Sequence, residues 1–377
     1  MGSKSALLRG ELGSLLLSLS AEATRFVDLF SGSGSVSHFI AESSSIPVLS
    51  VDLQHYSKIF AESIIGREGP VEEDPILTDW TSSVKKALIY DATYRSLREP
   101  VHRLGKATVL RSRRKVKQNP NLGFITSHYG GHYYSPQQAY VLDQLYNQLP
   151  VSEPHHTIAL AALLHTASTC AAAPGHTAQP FQPTEKLLPY IKECWSRDVI
   201  NECEKQVGSL SSRHAKVRGR AETGDALSIA SKLSEGDLVF CDPPYSAVQY
   251  SRFYHVLEGI ARGGWQEVFG AGRAPARIYR ESSSFSMKTQ ANNAMSSLLE
   301  CLHQRSCRVV LTFPNTQASN GLSSDDIIEI ARPNWEIREI YVDSSHSTLG
   351  GSSSTGGRSG RISVQEAILI LDPKRSI

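Results

Sequence analysis

Leu238-Val239-Phe240-Cys241-Asp242-Pro243-Pro244-Tyr245 is the stretch on which the fold turns. The short apolar run closed by a turn signal reads as a strand buried on both faces. The Asp-Pro-Pro-Tyr turn then falls at the strand's C-terminal end, the edge where open α/β sheets bind ligands. Two consecutive prolines remove two backbone donors and fix two φ angles, so the turn is stiff and its carbonyls are not consumed by a helix or a ladder. A carboxylate and an aromatic ring flank those carbonyls. The plainer reading is a β-turn in which Asp242 caps the next helix. A turn that only reverses the chain does not need all three groups.

One chemistry that uses the whole set is methylation of a nucleobase exocyclic amine. The amine lone pair is delocalised into the ring, so its nitrogen is a weak nucleophile. Asp242 and the carbonyl of Pro243 can accept the two amine hydrogens and favour a pyramidal nitrogen. They then stabilise the charge that builds during attack. The face of Tyr245, beside Pro244, can stack on a base drawn out of its helix.

Working outward, Phe26-Val27-Asp28-Leu29-Phe30-Ser31-Gly32-Ser33-Gly34-Ser35-Val36-Ser37 is a strand ending in an acid, a Gly-x-Gly turn and the start of a helix. A dinucleotide fingerprint would place a third glycine at position 37, where Ser37 stands, so a pyrophosphate cradle is disfavoured. Val48-Leu49-Ser50-Val51-Asp52 is a second strand ending in an acid, suited to a ribose diol. Asp28 and Asp52 lie 24 residues apart, the length of a strand–helix–strand unit.

These stretches together resemble the N6-adenine DNA methyltransferases of the DNA adenine methylase (Dam-like) family, over most of the chain. Asp28 through Ser35, with Phe30, Gly32 and Gly34, is similar to the family's cofactor loop, and Asp242-Pro243-Pro244-Tyr245 to its catalytic turn. Gly2-Ser3-Lys4, followed by a helical pattern through Leu17, resembles the N-terminal element whose lysine helps hold S-adenosylmethionine. Gly224-Asp225-Ala226 resembles the third-strand acid facing the cofactor adenine, and Phe124 through Gln138 a glycine/aromatic segment between the two motif groups. Residues 139–220 match less clearly.

The resemblance implies an α/β, Rossmann-like S-adenosylmethionine-dependent methyltransferase sheet of seven strands, the last antiparallel. It implies a catalytic domain of 1–90 and 221–377 and a mainly helical inserted target-recognition region over 91–220. S-adenosyl-L-methionine would be the cofactor, held by Lys4, Asp28, Phe30, Gly32, Gly34, Asp52 and Asp225. The partner would be double-stranded DNA with its target adenine flipped out, and a restriction endonuclease is a functional partner in such systems.

Charge patterning agrees with that partner. The net charge of +2 over 377 residues hides nine bases against one acid between Arg95 and Lys117. Within that run Arg111, Arg113, Arg114, Lys115 and Lys117 are candidates for phosphates. Tyr129, His132, Tyr133 and Tyr134 follow as candidates for bases, the combination of a nucleic-acid groove. A solvated face is the alternative. Arg213, Lys216, Arg218 and Arg220 form a second basic cluster.

Six cysteines without Cys-x-x-Cys spacing argue against zinc and disulfide frameworks and for a reduced, cytoplasmic setting. His128 and His132, separated by two glycines, make a poor metal pair, so no metal is expected. No apolar run reaches membrane-spanning length.

Methylation of RNA adenine or of cytosine N4 shares the amine chemistry and stays open, as does a non-catalytic DNA-binding relative. Cytosine-C5 chemistry is excluded by the lack of a Pro-Cys nucleophile. A protein-glutamine enzyme would carry Asn rather than Asp in the turn. The pattern further predicts helices at 5–19, 35–43, 54–65, 83–97, 136–148, 157–173, 185–207, 249–262 and 323–332. A long loop is expected over 263–290, and a mobile Ser/Gly loop over 344–360 between strands 335–342 and 362–371.

Overall fold

The computed structural model of the chain describes residues 4–71, 75–347 and 361–374. Gly2, Ser3 and positions 348–360 of the Ser/Gly stretch lie outside them. The chain divides into two compact units, one of residues 1–68, 215–249 and 282–377, the other of 69–214 and 250–281.

The first unit is built on seven strands: β1 (Arg25–Asp28), β2 (Val48–Asp52), β3 (Arg220–Thr223), β4 (Asp237–Cys241), β5 (Arg308–Pro314), β6 (Trp335–Ser347) and β7 (Arg361–Pro373). Their order is β3-β2-β1-β4-β5-β7-β6. The first five strands run parallel, and β7 lies antiparallel between β5 and β6. The expectation of a seven-strand α/β sheet with an antiparallel last strand holds. β6 and β7 run several residues further than their apolar cores suggest, because their backbones continue to pair from Asp343↔Gln365 out to Ser347↔Arg361.

Side-chain alternation splits the core into two layers, as the period of two in a strand requires. Phe26, Val48, Leu238, Phe240, Val310, Ile368 and Ile370 face one cluster with Leu12, Leu16 and Ile40 from the flanking helices. Val27, Val51, Val239, Leu311, Phe313 and Leu369 face the other, with Met295, Leu298 and Ile327. Rings of Phe26 and Phe240 stack at 6.4 Å across the parallel pair. The helix expected over 5–19 is two pieces, Ser5–Leu8 and Glu11–Ser20, because Gly10 departs from helical geometry between them. Helix Ala291–Gln304 is absent from the sequence-based expectations, although Ala291, Ala294, Met295, Leu298 and Leu302 bury one stripe of it.

The second unit is helical. Helices Pro75–Tyr90, Lys106–Lys117, Pro136–Asn147, His155–Cys170, Leu188–Trp195 and Val199–Ser211 are its main elements. Asp198 accepts from the backbone N–H of Asn201, so the run read as one helix over 185–207 restarts there. Ser135 and Gln138 close a capping box at the start of Pro136–Asn147.

The unit boundaries differ from 91–220. Segment 69–90 joins the helices, where the Trp80 indole donates to the Leu145 carbonyl at 3.0 Å. Segment 250–281 joins them too, where the Phe253 carbonyl accepts from the Thr177 hydroxyl at 2.8 Å. Residues 215–220 belong with the sheet.

Candidate active site

Within the sheet unit, the carboxyl edge gathers the sequence-selected acids. β1 ends at Asp28, β2 at Asp52, and β4 leads directly into Asp242. Alternation along β4 and β5 puts Asp242 and Thr312 on the same sheet face, and the Thr312 hydroxyl donates to Asp242 Oδ1 at 3.0 Å. Because β7 runs antiparallel, its opening residues reach this same edge: Glu366 pairs with Pro314 at the end of β5. Lys4, just before the first helix, donates its ammonium to Glu366 and lies 3.1 Å from Asp242 Oδ1.

Burial makes this cluster electrostatically sensitive. The side chains of Lys4, Asp242 and Glu366 are 14%, 26% and 2% exposed. Burial alone would lower the Lys4 ammonium, but Asp242 and Glu366 outweigh it and hold the group well above the usual lysine range. Burial pushes the Asp242 carboxyl up, Lys4 pulls it back, and the negative charge of Glu366 adds to the rise. The lysine assigned by resemblance to the cofactor thus spends two of its donors on carboxylates. Glu366 and Thr312 do not stand out in the sequence. The available signal is a single acid opening the apolar run Ala367-Ile368-Leu369-Ile370.

Of the two proline carbonyls in the turn, that of Pro244 is taken, and the Tyr245 carbonyl accepts from the Asn320 N–H at 3.4 Å. Asn320 Nδ2 donates to the Pro244 carbonyl at 3.0 Å and to the Phe285 carbonyl at 3.0 Å. Among the described residues no donor is recorded on the Pro243 carbonyl. Tyr245 is half-buried, its ring edge-on to Phe313 at 6.5 Å.

The Gly-x-Gly loop is braced from below. Asp28 is buried and accepts from the Ser37 hydroxyl at 2.8 Å and, more weakly, from the Phe30 N–H at 3.4 Å. Ser37 thus has a structural use for the position a dinucleotide site would give to glycine. Desolvation pushes the Asp28 carboxyl up to about 7, with Asp242 and Asp52 adding repulsion. Gly32 (φ 53°) and Gly34 (φ 74°) hold left-handed backbone. A Cβ on Gly34 would meet His38 Nε2 at 2.9 Å, whereas one on Gly32 would meet nothing nearer than 3.9 Å. Glycine at 34 serves close packing, and glycine at 32 leaves an open face. Phe30 packs edge-on to Phe285 at 5.1 Å.

Asp52 accepts the Gly32 N–H at 2.8 Å on one oxygen and the Gln54 N–H at 2.9 Å on the other. The group is half-buried at the sheet edge. Asp225 caps helix Ala226–Ala230, accepting from Leu227 and Ser228. This is the bland role for an acid in that position.

In the helical unit the basic and aromatic candidates separate. Arg114 and Lys117 are exposed on helix Lys106–Lys117. Arg111 pairs with Glu99 at 3.2 Å, and Lys115 stands 4.0 Å from the same acid. Arg113 is turned inward, its Nε donating to the Gly131 carbonyl at 2.9 Å. Tyr129, Tyr133 and Tyr134 are wholly buried. Tyr133 donates to the Gly272 carbonyl at 2.8 Å and Tyr134 to that of Ala167 at 2.9 Å. Those three rings are core, which corrects their assignment to base stacking. Half-buried His132 has its pKa lowered to about 3 by burial and by Arg113 and Arg273.

The sheet and its acidic, glycine-lipped edge are consistent with a methyltransferase fold. Residues 186–311, which carry β3, β4, the Asp242–Tyr245 turn and most of β5, match the family model for D12 class N6 adenine-specific DNA methyltransferase. The resemblance read from the motifs is therefore found by comparison as well.

Among curated proteins, the chain is 25% identical over 320 residues to Modification methylase LlaI of Lactococcus lactis subsp. lactis, covering 81% of this chain and 44% of that protein. It is 23% identical over 336 residues to Modification methylase StsI of Streptococcus sanguinis, covering 84% and 42%. A 153-residue stretch is 28% identical to Type II methyltransferase M.FokI of Planomicrobium okeanokoites, covering 40% and 22%. The chain thus spans less than half the length of these relatives.

Methyltransferases of this family use S-adenosylmethionine as methyl donor. The edge fits a cationic ligand: Asp28, Asp52, Asp242 and Glu366 stand against Lys4, and the face over Gly32 is open. Replacing Asp52 with alanine removes a charge-assisted acceptor, an expected loss of about 1.5–3 kcal/mol in cofactor binding. Calorimetry with S-adenosylmethionine measures it, and an unchanged dissociation constant would place Asp52 outside the pocket.

Proposed function

We propose that this chain transfers a methyl group from S-adenosylmethionine to the N6 amine of adenine in double-stranded DNA. The observation that carries the reading is the Asp242–Tyr245 turn: a carboxylate fixed by Thr312 and Lys4 stands beside a proline carbonyl that no described donor claims. S-adenosylmethionine supplies an electrophilic methyl on a sulfonium. Asp242 and the Pro243 carbonyl accept the amine hydrogens, and the lone pair localises on nitrogen. Tyr245 offers its ring to the flipped base. The proton that the methylated amine must lose passes to the Asp242 carboxylate and on to solvent; orientation does most of the rest, because in-line displacement needs no covalent enzyme intermediate.

The helical unit is proposed as the target-recognition region, and Arg114 and Lys117 as its phosphate-binding side chains. The relatives' names, two of them modification methylases, support a modification role, and a restriction endonuclease is proposed as its functional partner.

Incubating the purified chain with methyl-labelled S-adenosylmethionine and unmodified plasmid should yield labelled N6-methyladenine. Label in N4-methylcytosine, or in RNA alone, would overturn the reading. Changing Arg114 and Lys117 together to alanine should flatten the slope of log K against log salt by about 1.8, at roughly 0.9 for each phosphate that is no longer neutralised. A wild-type slope in that variant would make the helix a solvated face.

A further inference from the structure

The helical unit holds a projecting apolar pair on an anchored loop. Ile278 and Tyr279 are consecutive on the short 3-10 turn Arg277–Tyr279, and are 83% and 52% exposed. The loop that carries them is fixed at several points. Arg273 donates to the His128 carbonyl at 2.8 Å, and the Tyr133 hydroxyl holds the Gly272 carbonyl. Phe269 and Ala274 exchange backbone hydrogen bonds at 2.8 and 3.1 Å. Arg262 bridges Glu258 and Glu281. The pair is therefore held outward by structure, where two large side chains forgo the stabilisation of burial.

Its surroundings say what would cover it. Arg277 and Arg280 flank the pair, and Arg252 lies near enough to repel Arg280. Among the described residues none of these three arginines makes an ion pair, and the Nε of Arg280 is buried with no hydrogen-bond partner. Unbalanced guanidiniums around an apolar tip two residues wide match a polyanion with a stacked apolar interior. A membrane-surface element would instead present an amphipathic helix.

We propose that Ile278 and Tyr279 form a wedge that enters the base stack of duplex DNA, with Arg252, Arg277 and Arg280 on the flanking phosphates. Inserted apolar side chains of this kind hold unstacked steps open in other protein–DNA complexes. The proposal deepens the adenine-methylation reading and rests on it.

The test uses the full chain, S-adenosylhomocysteine and unmodified plasmid, with permanganate oxidation of unstacked thymines as the readout. Wild type should sensitise thymines at the base steps it unstacks. The double variant Ile278→Ala, Tyr279→Ala should lower that oxidation about ten-fold while filter retention of the plasmid stays within three-fold, on the order expected for losing a wedge that supports an unstacked step. Both positions are exposed, so an unchanged melting temperature is the expected control.

An unaltered oxidation pattern in the variant overturns the wedge. So does wild-type methylation without any sensitised thymine, which would leave adenine methylation standing. Failure of wild type to methylate DNA would strike the enzyme reading itself and the wedge with it. Sedimentation of the chain with anionic phospholipid vesicles, uncompeted by plasmid, would assign the pair to a membrane and also overturn the wedge.

Discussion

Asp242→Ala is expected to lower the turnover of methyl transfer by about two to three orders of magnitude, the usual cost of losing one preorganised group at the developing charge. S-adenosylmethionine affinity should stay within a few-fold, because the variant leaves Asp52 and the Gly32–Gly34 loop in place. The fold should tolerate the change, since Lys4 keeps Glu366 as a partner. Single-turnover rates with saturating cofactor separate the two effects. Near-normal turnover would mean that the carboxylate is a turn cap and nothing more.

Lys4→Met should be the most damaging change to stability. It leaves Asp242 and Glu366 facing one another without their shared cation, and removing one partner of a buried ion pair costs about 3–5 kcal/mol. The partial exposure of Asp242 puts the expectation at the lower end. The pH dependence has a definite sign. With the ammonium gone, burial and the negative charge of Glu366 hold the folded-state pKa of Asp242 above its unfolded value without the opposing pull of Lys4. The variant is then relatively secure where one carboxyl keeps its proton, and loses stability as pH rises through that raised value. Denaturation midpoints from about pH 4 to 8 should fall steadily for the variant relative to wild type across the ordinary carboxylate range and above. A parallel pair of curves would show that the three groups are not coupled.

Strands β1, β2, β4, β5 and the core of β7 are readable because each is an apolar run ending in an acid or a proline, whereas β3, Arg220-Ala221-Glu222-Thr223, is marked only by the glycine that follows it. Asp28, Asp52 and Asp242 can be selected for the same reason: a polar residue at the end of a buried strand stands at the sheet edge. Glu366 and Thr312 escape selection because their importance comes from neighbours far away in sequence, which no local pattern encodes. Tyr129, Tyr133 and Tyr134 mislead in the opposite way. Aromatics after a basic run suggest a groove, but Tyr133 and Tyr134 find carbonyl partners inside the helical unit and need no ligand. Helix Ala291–Gln304 carries its periodic stripe openly, yet it follows a long Gly/Arg/Ser loop whose composition hides where the helix begins.

The ion pair between Lys4 and Glu366 joins positions 362 residues apart. β7, which carries Glu366, takes its place against β5 only once β5 itself is laid down. A nascent chain that has already made the Gly-x-Gly loop and the Asp242 turn therefore still holds its acceptor carboxylate without the finished charge balance around it. Closing so long a loop comes late on entropic grounds. The charge balance around Asp242 would then be completed in one step, when β7 brings Glu366 to the segment that carries Lys4.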